Sequence, residues 1–198
     1  LILTAFIATL IFVCITYLPI IKLIGMKISD YLKGAFEPWL IAFTTCSSAA
    51  ALAVNLEASR KMGASKAIAS FAIPLGNTIN MNGTSIYMGV TAVFAAEVFG
   101  IDLTLAQQFQ IVLMGVLAAV GTAGVPGAGL IMTTLVFTEV GIPLEAVALI
   151  AGIDRILDMI RTSVNVLGDS LTALVVSKSE GVLGTELMDQ DTVVKEQL

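Results

Sequence analysis

Between Lys66 and Arg155 this chain has not one Lys or Arg, and most of the residues in that stretch are apolar. A water-soluble domain carries about a quarter charged residues. Here the whole 198-residue chain has 13% charged against 57% hydrophobic, and a mean hydropathy of +0.97. That composition excludes an ordinary soluble domain and points to lipid as the solvent. The expectation is an all-α membrane protein. It also excludes nucleic acid as a partner, since no basic patch exists. With no His in the chain, the commonest general base and metal ligand are missing. Cys14 and Cys46 have neither CxxC nor metal-site spacing.

A bilayer core about 30 Å thick takes roughly 20 apolar residues per spanning helix. Residues 1–25 meet that as a transmembrane helix closed by basic residues. The chain opens on Leu1 with no basic n-region and no small-residue cleavage site, so it is expected to begin inside a longer protein. Residues 30–62 are apolar but interrupted by Thr44-Thr45-Cys46-Ser47-Ser48, and bases flank both ends. Because cytoplasmic loops collect Lys and Arg, both ends lie on one side, which makes 30–62 an inner re-entrant hairpin. Residues 66–99 form a transmembrane helix broken at Asn80-Met81-Asn82-Gly83. Residues 103–140 carry Glu97, Asp102, Glu139 and Glu145 around them but no base. Broken by a glycine-rich stretch at 121–129, this segment reads as an outer re-entrant hairpin, a gate. A polar transmembrane helix over 143–178 and an acidic cytoplasmic tail over 179–198 complete the order. Hairpin plus helix thus occurs twice in opposite orientations. Inverted repeats with broken helices are the pattern of secondary transporters. Glycines that merely let ordinary spans pack closely are the plainer alternative.

The last apolar segment is the one with charges in it. At 100° per residue, Asp154, Asp158, Arg161, Asn165 and Asp169 fall within about 80° of one another on a helix. Each charge at a bilayer centre costs roughly 2.5–3.5 kcal/mol, so the stripe calls for a use. An Asp–Arg lattice pinning helices together is one. Ligand and ion binding is the other, favoured because Asn165 and Asp169 run on beyond any base. The Arg161 fork suits a carboxylate, and Asp158, one turn earlier, suits an ammonium group. Together they match an acidic amino acid. Asp169 and Asn165, with carbonyls freed by the break at Asn80, form an oxygen cage for a hard cation. An intramembrane aspartyl protease would need Gly-x-Gly-Asp, and Val166 stands at the first glycine. A channel or purely structural subunit would need no saturable substrate. The chain is read as not an enzyme.

These motifs together resemble the glutamate transporter family, the dicarboxylate/amino acid:cation symporters, over the chain up to about Glu180. The family's Asn-Met-Asp-Gly-Thr motif appears as Asn80-Met81-Asn82-Gly83-Thr84, and its outer glycine motif as Gly121 to Gly127. Its final-helix motif runs from Asp154 to Asp169, and its serine-rich tip is Cys46-Ser47-Ser48. The resemblance implies that Ser47, Ser48 and the backbone of Val125, Pro126 and Gly129 hold the substrate's main-chain carboxylate, with Asn165 helping. Asp158 would take the amino group and Arg161 the side-chain carboxylate, with Thr84 and Thr162 lining the pocket. One sodium ion (Na+) would sit on Asp169 and Asn165 with carbonyls of Gly76 and Asn80. Another would lie between Thr78 and the backbone at Ala119, Val120 and Thr122. Asn82 stands where the family has Asp, at a residue tied to a third sodium, so weaker cation binding is expected there. Arg155 is expected to pair with Asp154.

The implied function is a sodium-coupled symporter of glutamate or aspartate working by elevator-type alternating access. The alternative is a proton-coupled dicarboxylate or neutral amino acid symporter of the same family. The implied setting is a multi-pass protein of the plasma (inner) membrane with a cytoplasmic C-terminus. It would be a homotrimer in the lipid bilayer, assembled through an N-terminal half absent here.

Overall fold

The structure is a computed structural model that describes residues 1–185. Most of the acidic residues of the expected tail, from Glu186 onward, lie outside the described residues. Every regular element among the described residues is helical. The chain opens with α1 (Ile2–Phe12), a π-helical turn over Val13–Tyr17, and α2 (Leu18–Leu23). Pro19 has no N–H to give the preceding turn, and the wider turn just before it absorbs that defect. Taken together, Ile2–Leu23 is the one run among the described residues long and apolar enough to cross a membrane by length and composition.

Two helical hairpins follow, each tied to a broken helix. The first comprises α3 (Ile28–Thr45) and α4 (Ser48–Lys61). At its tip Cys46 adopts a left-handed conformation, φ 56°, and the Ser47 hydroxyl caps α4 by accepting from the Ala50 N–H (3.1 Å). Then come α5 (Lys66–Ile79) and α6 (Asn82–Val98), separated by Asn80 and Met81. The second hairpin is α7 (Leu105–Val120) and α8 (Ala128–Val140). A Thr104–Gln107 capping box starts α7, and Gly127 at φ 78° precedes α8, a backbone angle that suits glycine. The stretch 143–178, read as a single helix, is two: α9 (Glu145–Ala151) and α10 (Asp154–Ser179), parted at Gly152-Ile153.

α10 is the hub, packing against α3, α4, α5, α6 and α1. One apolar core gathers Met88, Ile111, Phe137, Ile150 and Leu157 around its N-terminal end. Another gathers Ile21, Tyr31, Ile73, Leu171 and Leu174 around its C-terminal end. The polar stripe of α10 falls between them. Outward, α1 and α7 expose Leu3, Leu10, Phe109, Leu113 and Leu117. Such faces suit lipid or further protein rather than water. On α3, Trp39 stacks between Phe36 and Phe43, with ring centroids 5.8 and 5.2 Å away.

Candidate functional site

The whole stripe is buried: Asp154, Asp158, Arg161, Thr162, Asn165 and Asp169 are each at most 7% exposed. Arg161 meets Asp158 as a fork, Nε donating to Oδ1 (3.1 Å) and Nη2 to Oδ2 (3.0 Å). The same carboxylate accepts from the Thr162 hydroxyl (2.7 Å) and from the Gly127 N–H of the second hairpin tip (2.9 Å). Beneath the guanidinium lies the Tyr87 ring, its centroid 4.5 Å from Arg161 Cζ. The Tyr87 hydroxyl donates to Asp154 Oδ1 (2.8 Å).

Both hairpin tips reach this cluster and meet there. The Ser47 hydroxyl and the Ala49 N–H both donate to the Gly124 carbonyl (2.8 and 3.2 Å). Glycines allow the approach. A Cβ on Gly124 would strike Ser48 Oγ, and one on Gly129 would strike the Arg161 guanidinium. Cys46, Ser48, Met81, Thr84, Gly124, Val125, Asp158, Arg161, Thr162 and Asn165 wall a recess of about 10 Å³, room for about one water. In that wall two buried polar atoms have no partner: Ser48 Oγ and Arg161 Nη1. A buried polar group left unpaired is costly enough to need a reason.

One turn along α10, the Asn165 amide donates to Thr84 Oγ1 (3.0 Å), while its Oδ1 accepts from the Gly83 N–H (2.8 Å). Asn80 Nδ2 bridges the Asn165 carbonyl (3.1 Å) and Asp169 Oδ1 (2.9 Å). Gly76 lies flat against the Asp169 carboxylate. The first expected cation set, Gly76, Asn80, Asn165 and Asp169, is therefore gathered in one place. Asn82 joins it as a donor: its Nδ2 gives to Asn80 Oδ1 (2.6 Å) and Tyr17 Oη (3.1 Å). An amide N–H thus draws those oxygens together where a carboxylate would instead have added negative charge.

The second expected set is not joined by hydrogen bonds in this way. Thr78 is exposed and its hydroxyl donates to the Leu75 carbonyl, while Thr122 is buried and donates to Ala118. Ala119 is buried and Val120 exposed at the end of α7. Pro126 is exposed and outside the wall of the recess. Arg155 does not pair with Asp154. It turns away, exposed, and donates to the Thr44 carbonyl at the end of α3 (2.9 Å). Sequence reasoning passed over Tyr17, Tyr87 and Asn77, whose Oδ1 is a further buried atom without a partner. For Tyr87 a signal exists: it lies three residues after Thr84, on the same face of α6.

A family model described as the sodium:dicarboxylate symporter family matches residues 1–179. A proton/sodium-glutamate symport protein of Bacillus caldotenax is 41% identical over 165 residues, 83% of this chain and 39% of that protein. The proton/glutamate-aspartate symporter of Escherichia coli (strain K12) is 38% identical, covering 80% of this chain and 36% of its own length. Excitatory amino acid transporter 2 of Homo sapiens is 39% identical, covering 83% and 30%. The chain spans well under half the length of these relatives.

Proposed function

The chain belongs to the sodium:dicarboxylate symporter family, membrane transporters rather than enzymes, and from that premise we propose that it is the substrate-carrying part of a sodium-coupled symporter of acidic amino acids. The observation that carries this reading is the pair of unpartnered atoms, Arg161 Nη1 and Ser48 Oγ, in a wall that also holds Asp158. A side-chain carboxylate would give Arg161 Nη1 an acceptor of opposite charge, a main-chain carboxylate would accept from Ser48 Oγ, and an ammonium would meet the Asp158 carboxylate. The names of the relatives, glutamate and glutamate-aspartate symporters, support the same substrate class.

The recess is too small for an amino acid, so binding requires the tips to part. In this reading α7–α8 is the outer re-entrant hairpin and lifts. α3–α4 is the inner one, since the tips meet end to end at Ser47 and Gly124. The order hairpin, broken helix, hairpin, broken helix supports an inverted repeat. Sodium in this reading is cargo, held by Asp169, Asn165, Asn80 and Gly76, with Thr78, Ala119, Val120 and Thr122 forming a second set. Asn82 leaves the third sodium site one negative charge short. Elevator-type movement, a homotrimer built through the N-terminal half, and a plasma-membrane setting with a cytoplasmic C-terminus complete the proposal.

The test is aspartate and glutamate binding to the purified full-length protein, titrated with sodium against a potassium control. Steep sodium dependence is expected. In Arg161→Cys acidic substrate binding is expected to disappear, and unchanged affinity in that variant would sink the assignment.

A further inference from the structure

Asn77 is a polar side chain without a partner at the edge of the substrate recess. It is half-buried on the last turn of α5 and makes no side-chain hydrogen bond among the described residues, and its Oδ1 is fully buried. An unpaired buried amide oxygen is costly and calls for a donor or a cation. Three elements meet at this residue. A Cβ on Gly124, at the second tip, would come within 3.3 Å of Asn77 Nδ2 and would strike Ser48 Oγ, the unpartnered hydroxyl of the first tip. Gly124 therefore covers both groups, and parting of the tips uncovers them together.

The surroundings of Asn77 decide what each end of its amide can meet. Its neighbour Gly76 lies against Asp169 of the first cation set, and its neighbour Thr78 belongs to the second. α5 stops at Ile79 and α7 at Val120, four residues before Gly124, and the two helices touch. A helix C-terminus carries carbonyls without the donors of a next turn and the negative end of the macrodipole. Two such ends near a buried amide oxygen favour a cation. The second set, Thr78, Ala119, Val120 and Thr122, has no carboxylate. It would hold an ion by neutral oxygens alone, so one more oxygen weighs heavily. At the other end of the amide, Nδ2 shares Gly124 with Ser48 Oγ, the hydroxyl that would receive the main-chain carboxylate.

Resting on the proposed function, we propose that Asn77 bridges the two cargoes. Its Oδ1 completes the second sodium set, and its Nδ2 donates to the substrate's main-chain carboxylate beside Ser48. A cation on the oxygen polarises the amide and strengthens its N–H as a donor. Sodium and substrate then raise each other's affinity through one side chain, and the coupling is reciprocal.

The experiment uses the purified full-length protein. Aspartate binding is titrated calorimetrically at limiting and saturating sodium, and sodium binding without substrate is followed by the rise in melting temperature. In Asn77→Ala both contacts go. Aspartate affinity is expected to fall roughly 100-fold at limiting sodium and roughly tenfold at saturating sodium, with a shallower sodium dependence. Asn77→Asp keeps the shape and replaces the donor with a charged acceptor. It is expected to move the two ligands in opposite directions: sodium alone stabilises the protein more than in wild type, while aspartate binds more weakly at saturating sodium. A residue that merely shapes the fold would not split them. Wild-type sodium dependence in both variants overturns the bridge, as does an Asn77→Asp that shifts sodium and aspartate the same way; either result leaves the symporter reading standing. Absence of any sodium-dependent binding of aspartate or glutamate by wild type would instead fell the symporter reading itself.

Discussion

The two hairpins look alike in outline and differ in what they lean on. α3 and α4 both pack along α10, joined to it by buried bonds such as Asn55 Nδ2 to the Val166 carbonyl (3.1 Å) and Tyr31 Oη to the Leu167 carbonyl (2.6 Å). α7 and α8 pack on each other and on α6. Their bond to α10 is made at the tip, where the Gly127 N–H meets Asp158. One hairpin is thus fixed to the binding helix along its length, the other at a point. A group that replaces Gly127 on Asp158 removes the hydrogen bond from the second tip to α10, while the Gly124 carbonyl still accepts from Ser47 and Ala49 of the first hairpin. The same event leaves the first hairpin where it is.

The largest expected effect sharpens this contrast at the second tip. In Gly129→Ala the new methyl displaces the Arg161 guanidinium. Acidic substrate affinity, measured by equilibrium binding, is expected to fall roughly 100-fold with loss of a charge-assisted contact. Gly121→Ala in the same tip region meets the end of Met132 at 3.6 Å and the Ala118 carbonyl at 3.7 Å, both ordinary contacts, and is expected to bind normally. Next comes Asn55→Leu in the first hairpin. It leaves the Val166 carbonyl without its cross-helix donor and is expected to cost about 2 kcal/mol of stability by thermal melting in detergent, with affinity retained. A large loss of affinity there would break the contrast. The smallest is Ser47→Ala, which removes the cap of α4 for about 1 kcal/mol. It also loosens the contact with Gly124, and faster substrate dissociation is the expected sign.

The sequence makes the polar stripe of α10 legible because charges within an apolar run have no neutral explanation, and the helical period puts them on one face. The break at Asn80-Met81 is legible for a similar reason: two amides and a glycine interrupt an otherwise apolar stretch. Aromatic residues are the opposite case. The chain has three tyrosines, and in an apolar run each reads as a lipid-facing or interfacial ring. All three are buried, and each hydroxyl donates to α10: Tyr17 to Val164 (3.3 Å), Tyr31 to Leu167 and Tyr87 to Asp154. The partner of Arg155 is equally silent in sequence, since a backbone carbonyl 111 residues away has no residue-type signature. The parting of α9 from α10 is a related case. Gly152 inside an apolar helical pattern is an ordinary packing residue until the chain around it is seen.

The stacked ring of Trp39 has an optical consequence. It is the single tryptophan of the chain, and it rides on α3, the hairpin fixed along its length. The second hairpin contains neither Trp nor Tyr. Tryptophan fluorescence of this chain therefore reports on the first hairpin, and the second carries no tryptophan or tyrosine to report on it. A probe placed at the exposed ring position of Phe109 on α7 would supply the missing channel, with Trp39 serving as its internal reference.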